Sequence, residues 1–182
     1  MKKKIFLINL FLLLIHFATQ AQGKYKISES NLSFFSHASL ENIEAKSKMT
    51  QGIIDFDTKS FIIKIPIKSF RFKSSLMEDH FNENYMESEK YPYALLKGTI
   101  MNNYDLTKDG KYQVSIVGDL NVHGVTQNRT IAATLDVKKG VITVTSIFNI
   151  KLVDHKIEIP TIVFQKIAEV IEVTFDGVLQ KM

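Results

Sequence analysis

Long stretches of this chain alternate apolar and polar residues one for one, and that period leaves few architectures open. Phe61, Ile63, Ile65 and Ile67 fall on one face of an extended segment, with Lys64 and Lys68 on the other. Ile142, Val144, Phe148, Ile150 and Leu152 share a face opposite Thr143, Thr145, Asn149 and Lys151. Near the end, Ile171, Val173, Phe175 and Leu179 alternate with Glu172, Thr174, Asp176 and Gln180. Successive side chains of a strand point to opposite faces, so each apolar set belongs to one side of a sheet. A sheet with one apolar face must close on itself or pack on a second sheet. Closure also removes the exposed edges that would pair with other chains.

The turn residues fit hairpins. Asp109-Gly110 suits a type I′ turn, whose two central residues need positive φ, and Gly124-Val125 fits the Gly-X pattern of type II′. Lys139-Gly140 separates two further β-rich runs. Pro66 stands inside an otherwise strong strand, which points to an edge or a bulge. From Ser75 to about Glu87 the spacing turns helical: Met77, Phe81 and Tyr85 lie at i, i+4 and i+8, and Leu76 and His80 widen the stripe. Ser75 and Glu78 match the capping box, and Pro92 stops any continuation while pushing Tyr91 into an extended conformation. The reading is all-β: six to nine antiparallel strands, about eight for a small closed barrel, with one short helix inserted after the first few. Barrels of that size are either filled by side chains or hold one small ligand, and the pattern does not separate the two.

The N-terminus reads as an export signal. Lys2, Lys3 and Lys4 precede an uncharged apolar run from Ile5 to Phe17, and Thr19-Gln20-Ala21 offers small residues at the −3 and −1 positions of a cleavage site. The run is too short for a bilayer span, which needs about 20 residues. Residues 1–21 are therefore expected to be a signal peptide and residues 22–182 one mature domain, with no stable membrane anchor. The chain has no cysteine, which excludes disulfides and lipid attachment through an N-terminal cysteine. The Lys-, Ile- and Asn-rich composition points to a bacterial source, and so to the periplasm or the exterior. The net charge of +4 includes the three signal lysines, leaving the mature part near +1. Arginine occurs only at Arg71 and Arg129, and no basic cluster survives cleavage. A nucleic-acid binder needs several clustered cations, so nucleic acid is not an expected partner.

Catalytic motifs are scarce. The mature histidines, His37, His80, His123 and His155, are scattered, with no His-x-x-x-His or His-Glu-x-x-His spacing for zinc. There is no Gly-rich phosphate loop and no Gly-x-Ser-x-Gly elbow. Asp79-His80 and Asp154-His155 could converge for metal binding or acid–base work, but neighbours on a strand face opposite ways, and solvated or hydrogen-bonded histidines are the simpler reading. No catalytic residue, metal ligand or cofactor is assigned.

The density of aromatic and Met residues between Phe70 and Tyr93 is the unusual feature. Phe70, Phe72, Leu76, Met77, Phe81, Tyr85, Met86, Tyr91 and Tyr93 crowd this short stretch. They can pack the helix onto the barrel, or form a pocket mouth whose flexible Met and flat rings adapt to a chain-like apolar ligand. Such a ligand gains about 0.8 kcal/mol per buried methylene and needs few polar contacts.

Two stretches resemble the YceI-like family. The run from Ser69 to Pro92, with its Ser-Phe, its short helix carrying His80-Phe81 and its closing Lys90-Tyr91-Pro92, is similar to that family's signature region. Gly118-Asp-Leu-Asn-Val-His-Gly-Val-Thr126 is similar to its hairpin motif, with Asn121 where the family often has Thr. The order of elements matches from about Tyr25 to Leu179. The resemblance implies a lipocalin-like antiparallel barrel with an elongated apolar cavity. It also implies a periplasmic or secreted protein holding a polyisoprenoid, an isoprenoid quinone or a fatty amide. The expected ligand-binding residues are Phe70, Phe72, Leu76, Met77, Phe81, Tyr85, Met86 and Tyr93. A filled barrel serving as a structural or interaction module is the alternative, and a His/carboxylate enzyme the less favoured third. The oligomeric state is left open, a dimer included.

Overall fold

The computed structural model describes residues 23–160 and 167–182, so the expected signal peptide lies outside the described residues. Ten strands run in chain order: β1 (Lys24–His37), β2 (Asn42–Ser47), β3 (Gln51–Asp55), β4 (Ser60–Pro66), β5 (Arg71–Phe72), β6 (Tyr93–Ile100), β7 (Gly110–Val122), β8 (Val125–Lys138), β9 (Val141–Lys151) and β10 (Val170–Lys181). All pair antiparallel. β2 follows the second half of β1 through Leu32↔Ser47, and β3 follows its first half through Tyr25↔Ile54. β5 pairs β2 as β4 pairs β3. β2–β3 and β4–β5 are thus two interrupted staves, which makes eight staves in all. The ring closes where β10 pairs β1, with Leu32 opposite Phe175 and Ser30 opposite Gly177. This is a closed eight-stave antiparallel barrel with one short helix, one of the two arrangements that one-sided alternation allows.

The two interruptions are tied together. The Ser69 hydroxyl donates to Pro66 O at 2.5 Å, so the Ser47 hydroxyl, 2.6 Å away, donates to Ser69 and accepts Met49 N at 3.2 Å. Pro66 stands at a local edge, as expected: it ends β4 opposite Tyr93, past Lys64, the last β4 residue that β3 pairs, so the missing N–H breaks no ladder on that side.

Close approach of backbones fixes the β6–β7 pair. Gly98 and Gly118 stand opposite each other, and a Cβ on Gly118 would lie 2.3 Å from Lys97 O. The turns differ in part from the sequence reading. The β7–β8 turn has positive φ at His123 (51°) and Gly124 (73°), a type I′ turn one residue earlier than expected. Lys139 and Gly140, at 51° and 79°, form a second positive-φ pair between β8 and β9. Asp109-Gly110 makes no two-residue turn: Gly110 opens β7 after a longer loop, and Asp109 Oδ1 accepts Lys139 N at 2.8 Å, tying that loop to the neighbouring turn.

The helix α1 (Ser75–His80) continues into a wider π turn over Phe81–Tyr85, where Met86 N donates to Phe81 O at 2.9 Å. The capping box does not form. The N-cap is Ser74, which places Glu78 one residue too far along; its carboxylate instead accepts Phe72 N at 3.3 Å and Arg71 Nη1 at 2.8 Å. Glu78 so fastens the helix to β5 and not to its own first turn.

The two ends of the barrel differ. At one, Phe56 is 3% exposed and is met edge-on by Tyr25 and Tyr104, each at a 5.3 Å ring separation. Tyr104 Oη donates to Phe56 O at 3.0 Å, and burial pushes the phenol up to about 12. The other end carries the helix.

Candidate functional site

The inward faces enclose a cavity of about 480 Å³. Each stave contributes its alternate residues: Leu32 and Phe34 from β1, Phe61, Ile63 and Ile65 from β4, and Val144, Phe148 and Ile150 from β9. The volume lies within the usual range for small-molecule pockets, about 300–1,000 Å³. Side chains at the Phe56 end are buried. At the helix end Leu76 is 60% exposed and His80 is also exposed, so the cavity opens there.

Of the residues expected from the aromatic segment, Phe70, Phe72, Leu76, Met77, Phe81, Tyr85 and Met86 line this cavity. Phe81 is their centre, with rings of Phe34, Phe70 and Phe72 at 5.4, 5.7 and 5.0 Å. These separations are those of offset and edge-to-face aromatic packing. Burial raises the Tyr85 phenol above its ordinary value. Tyr93 is the exception. It begins β6 with its side chain on the outer face, 42% exposed, under the ammonium of Lys64 at 3.6 Å from the ring centroid. The neighbouring Ala94 takes the inward position, because strand alternation allows only one of the two to face the lumen. Phe34, Phe148 and Phe175 also line the cavity; Phe148 and Phe175 belong to the alternating apolar sets, but all three lie far from the aromatic segment in sequence and so were not among the expected ligand-binding residues.

Polar groups in the wall are few. Among the described residues Glu41 is the one carboxylate in the lining, His80 the one imidazole, and no lysine or arginine takes part. Ser36 Oγ accepts Ala168 N at 2.8 Å and Ser146 Oγ donates to Ala132 O at 2.7 Å, so both hydroxyls are occupied. The Thr50 hydroxyl is buried without a hydrogen-bond partner.

His123 and His155 lie outside the lining. They build a latch at the open end, joining the stretch after the helix to the β7–β8 turn. His123 Nε2 bonds Glu87 Oε2 at 2.7 Å and Nδ1 meets His155 O at 3.2 Å. Tyr91 packs edge-on to His123 with ring centroids 4.7 Å apart, and a Cβ on Gly124 would meet the Tyr91 ring at 2.4 Å. His155 is fully buried, and its Nδ1 donates to Val125 O at 3.1 Å. Glu87 is held below its ordinary carboxylate value, chiefly by the His123 hydrogen bond. Among the described residues no group of three His, Asp or Glu side chains is placed to hold a metal ion.

The fold is therefore a closed antiparallel barrel with one aromatic helix at its mouth and an apolar lumen of small-molecule size. The model of the YceI-like domain matches residues 24–179, and the chain belongs to the YceI-like family. No curated protein matches it by sequence. Among solved structures, a polyisoprenoid binding domain from Saccharophagus degradans, described as implicated in plant cell wall breakdown, superposes with a TM-score of 0.75 at 17% identity, covering 87% of this chain and 98% of that one. Burkholderia cenocepacia BcnA superposes with a TM-score of 0.70 at 18% identity, covering 82% and 95%. The Campylobacter jejuni YCEI protein gives 0.62 at 19% identity, covering 80% and 90%.

Proposed function

We propose that this protein is an exported carrier that holds one long, predominantly apolar molecule of the isoprenoid type inside its barrel. The observation that carries the reading is the 480 Å³ lumen whose described lining has Glu41 and His80 at the mouth as its charge-bearing groups. An apolar chain fills such a space at a gain of about 25 cal/mol per Å² removed from water. An open lumen of this volume also favours a carrier over a barrel filled for structural use alone. Binding is favoured over catalysis because His123 and His155 are spent on the latch, leaving His80 and Glu41 as the acid–base groups of the lining. The name of the Saccharophagus relative points to the same ligand class.

Export to the periplasm or medium rests on residues 1–21, and among the described residues no helix is long and apolar enough to cross a membrane. Purification from the native host, solvent extraction and mass spectrometry test the carrier reading. A copurifying long-chain neutral lipid is expected. A lipid-free protein that also fails to take up isoprenoids in solution overturns it. Cell fractionation with N-terminal sequencing tests export, and the expected first residue is Gln22.

A further inference from the structure

We infer that the outer face of β3, β4 and β6 is a docking surface for an anionic lipid bilayer. The inference concerns the outside of the barrel and does not depend on what the lumen holds.

Strand alternation sends every second side chain outward, and the register lines these up in rows across the strands. In one row Ile53 of β3 stands opposite Ile62 of β4, with Lys26 of β1 beyond Ile53 and Lys97 of β6 beyond Ile62. The next row toward the open end pairs Lys64 with Leu95, and the last pairs Pro66 with Tyr93. Ile53, Ile62, Leu95 and Tyr93 are between 38% and 51% exposed. The Lys64 ammonium lies over the Tyr93 ring. Apolar side chains are thus interleaved with three lysines, in a stripe that runs up to the end where the lumen opens. Among the described residues no carboxylate pairs with Lys26, Lys64 or Lys97. The two acids beside the stripe have other partners: Asp55 bridges Lys24 at 3.9 Å, and Asp119 Oδ1 accepts Asn128 Nδ2 at 3.0 Å.

The far side of the barrel is built otherwise. The outward positions in the middle of β8, β9 and β10 include Thr134, Thr143, Thr145, Asn149, Thr174 and Asp176, with Ile147 as the exposed large apolar residue. The β3–β4–β6 stripe is therefore not the average outer surface of this fold. An exposed apolar patch rimmed by charge marks a contact with another surface. The charge selects which one. Two copies of this face brought together would set lysines against lysines, whereas an anionic headgroup layer meets all three. The outside of a barrel is also convex, which suits a deformable bilayer better than a rigid partner. Tyrosine and lysine side chains settle at headgroup depth, with isoleucine and leucine reaching below them. Such an apolar-plus-basic face gives reversible surface binding and not an anchor.

Flotation of the full mature chain with vesicles tests the inference. The vesicles are phosphatidylcholine alone or with about one-third phosphatidylglycerol, at low and at physiological salt. Wild type should bind the anionic vesicles, more tightly at low salt, and the neutral ones weakly. Lys26→Gln, Lys64→Gln and Lys97→Gln together should weaken anionic binding about a hundredfold, roughly fivefold for each lysine. Ile62→Ser with Leu95→Ser should weaken it about tenfold and keep its salt dependence. Lys111→Gln, Lys139→Gln and Lys151→Gln together remove the same charge from other parts of the surface and should stay within about threefold of wild type. Circular dichroism and thermal unfolding verify that each variant is folded, as expected for exposed side chains. Failure of the wild type to bind anionic vesicles overturns the inference. So does an equal loss in the two lysine triples, which would mean that bulk charge alone is read. A dimer in solution that Ile62→Ser with Leu95→Ser dissociates would assign the face to a second copy, and overturns it too. None of these outcomes concerns uptake of an apolar molecule into the lumen, so the carrier reading is tested separately.

Discussion

Glu87 and His123 are separated by 36 positions in sequence, and the carboxylate of one accepts a 2.7 Å hydrogen bond from the imidazole of the other. The bond joins the two stretches that carry the family resemblance: Ser69–Pro92, with the helix, and the Gly118–Thr126 hairpin. Tyr91 and Gly124 extend the same contact. The stretch leaving the helix at the open end of the barrel is therefore fastened to a hairpin on the far side of β6.

This pair gives a direction for the expected response to acid. The Glu87 carboxyl is held below its ordinary 4.5, mainly by His123, so its contribution is fully present above that value and fades as pH falls through the lowered one. Glu87→Gln should reduce the urea midpoint at neutral pH and flatten the acid limb of its pH profile. Urea titrations at a series of pH values read both effects. An acid limb as steep as in the wild type would mean that other carboxylates set it.

Phe81 joins the cavity wall to the helix. Replacing it with Ala removes contacts to Phe34, Phe70 and Phe72 together. Because Phe81 is partly buried, a loss of about 2–3 kcal/mol is expected, below the range for fully buried rings. Apolar-ligand affinity should also fall by an order of magnitude or more through the enlarged mouth. Chemical denaturation and probe displacement measure the two separately. Tyr93→Ala, outside the lumen, should leave affinity unchanged.

Gly118 and Gly124 belong to one motif but fail differently when substituted. A Cβ on Gly118 meets the rigid backbone oxygen of Lys97 at 2.3 Å, so Gly118→Ala should cost about 3 kcal/mol or prevent closure of the β6–β7 pair. Gly124→Ala adds the left-handed backbone penalty, about 1–2 kcal/mol, to its clash with the Tyr91 ring. Tyr91→Ala combined with Gly124→Ala should then recover the clash but not the backbone part, which a double-mutant cycle in denaturant resolves.

At the closed end, Tyr104→Phe removes the donor to Phe56 O and should cost about 1 kcal/mol. The phenol is raised from 10.0 to about 12 in the fold, so its neutral form is the stabilised one. That contribution is present below pH 10 and is lost as pH rises through about 12. Alkaline unfolding followed by absorbance of the phenolate should show Tyr104 ionising late, and the step should vanish in Tyr104→Phe.

Alternation alone was enough to specify antiparallel strands with one apolar face, which must close on themselves or pack on a second sheet; the β1–β10 pairing is what closes the ring. Phe61–Ile67, Val144–Leu152 and Ile171–Leu179 put their apolar sets toward the lumen as their period requires, and Ile142 is buried in the core. The aromatic spacing of residues 70–86 was equally local, and those side chains do line the cavity. Tyr93 was misjudged because nearness in sequence to that cluster says nothing about strand parity, which is set by pairing with Pro66 and the rest of β4. The Ser75–Glu78 cap was lost to Arg71 and Phe72 of the preceding strand, and the Asp109-Gly110 turn to Lys139, a partner far along the chain. Whether the barrel is hollow, where it opens, that His123 belongs to a latch and that Thr50 is left with a free hydroxyl are decisions of tertiary structure. Each depends on volumes and hydrogen-bond partners assembled across staves, and no periodicity along the chain encodes them.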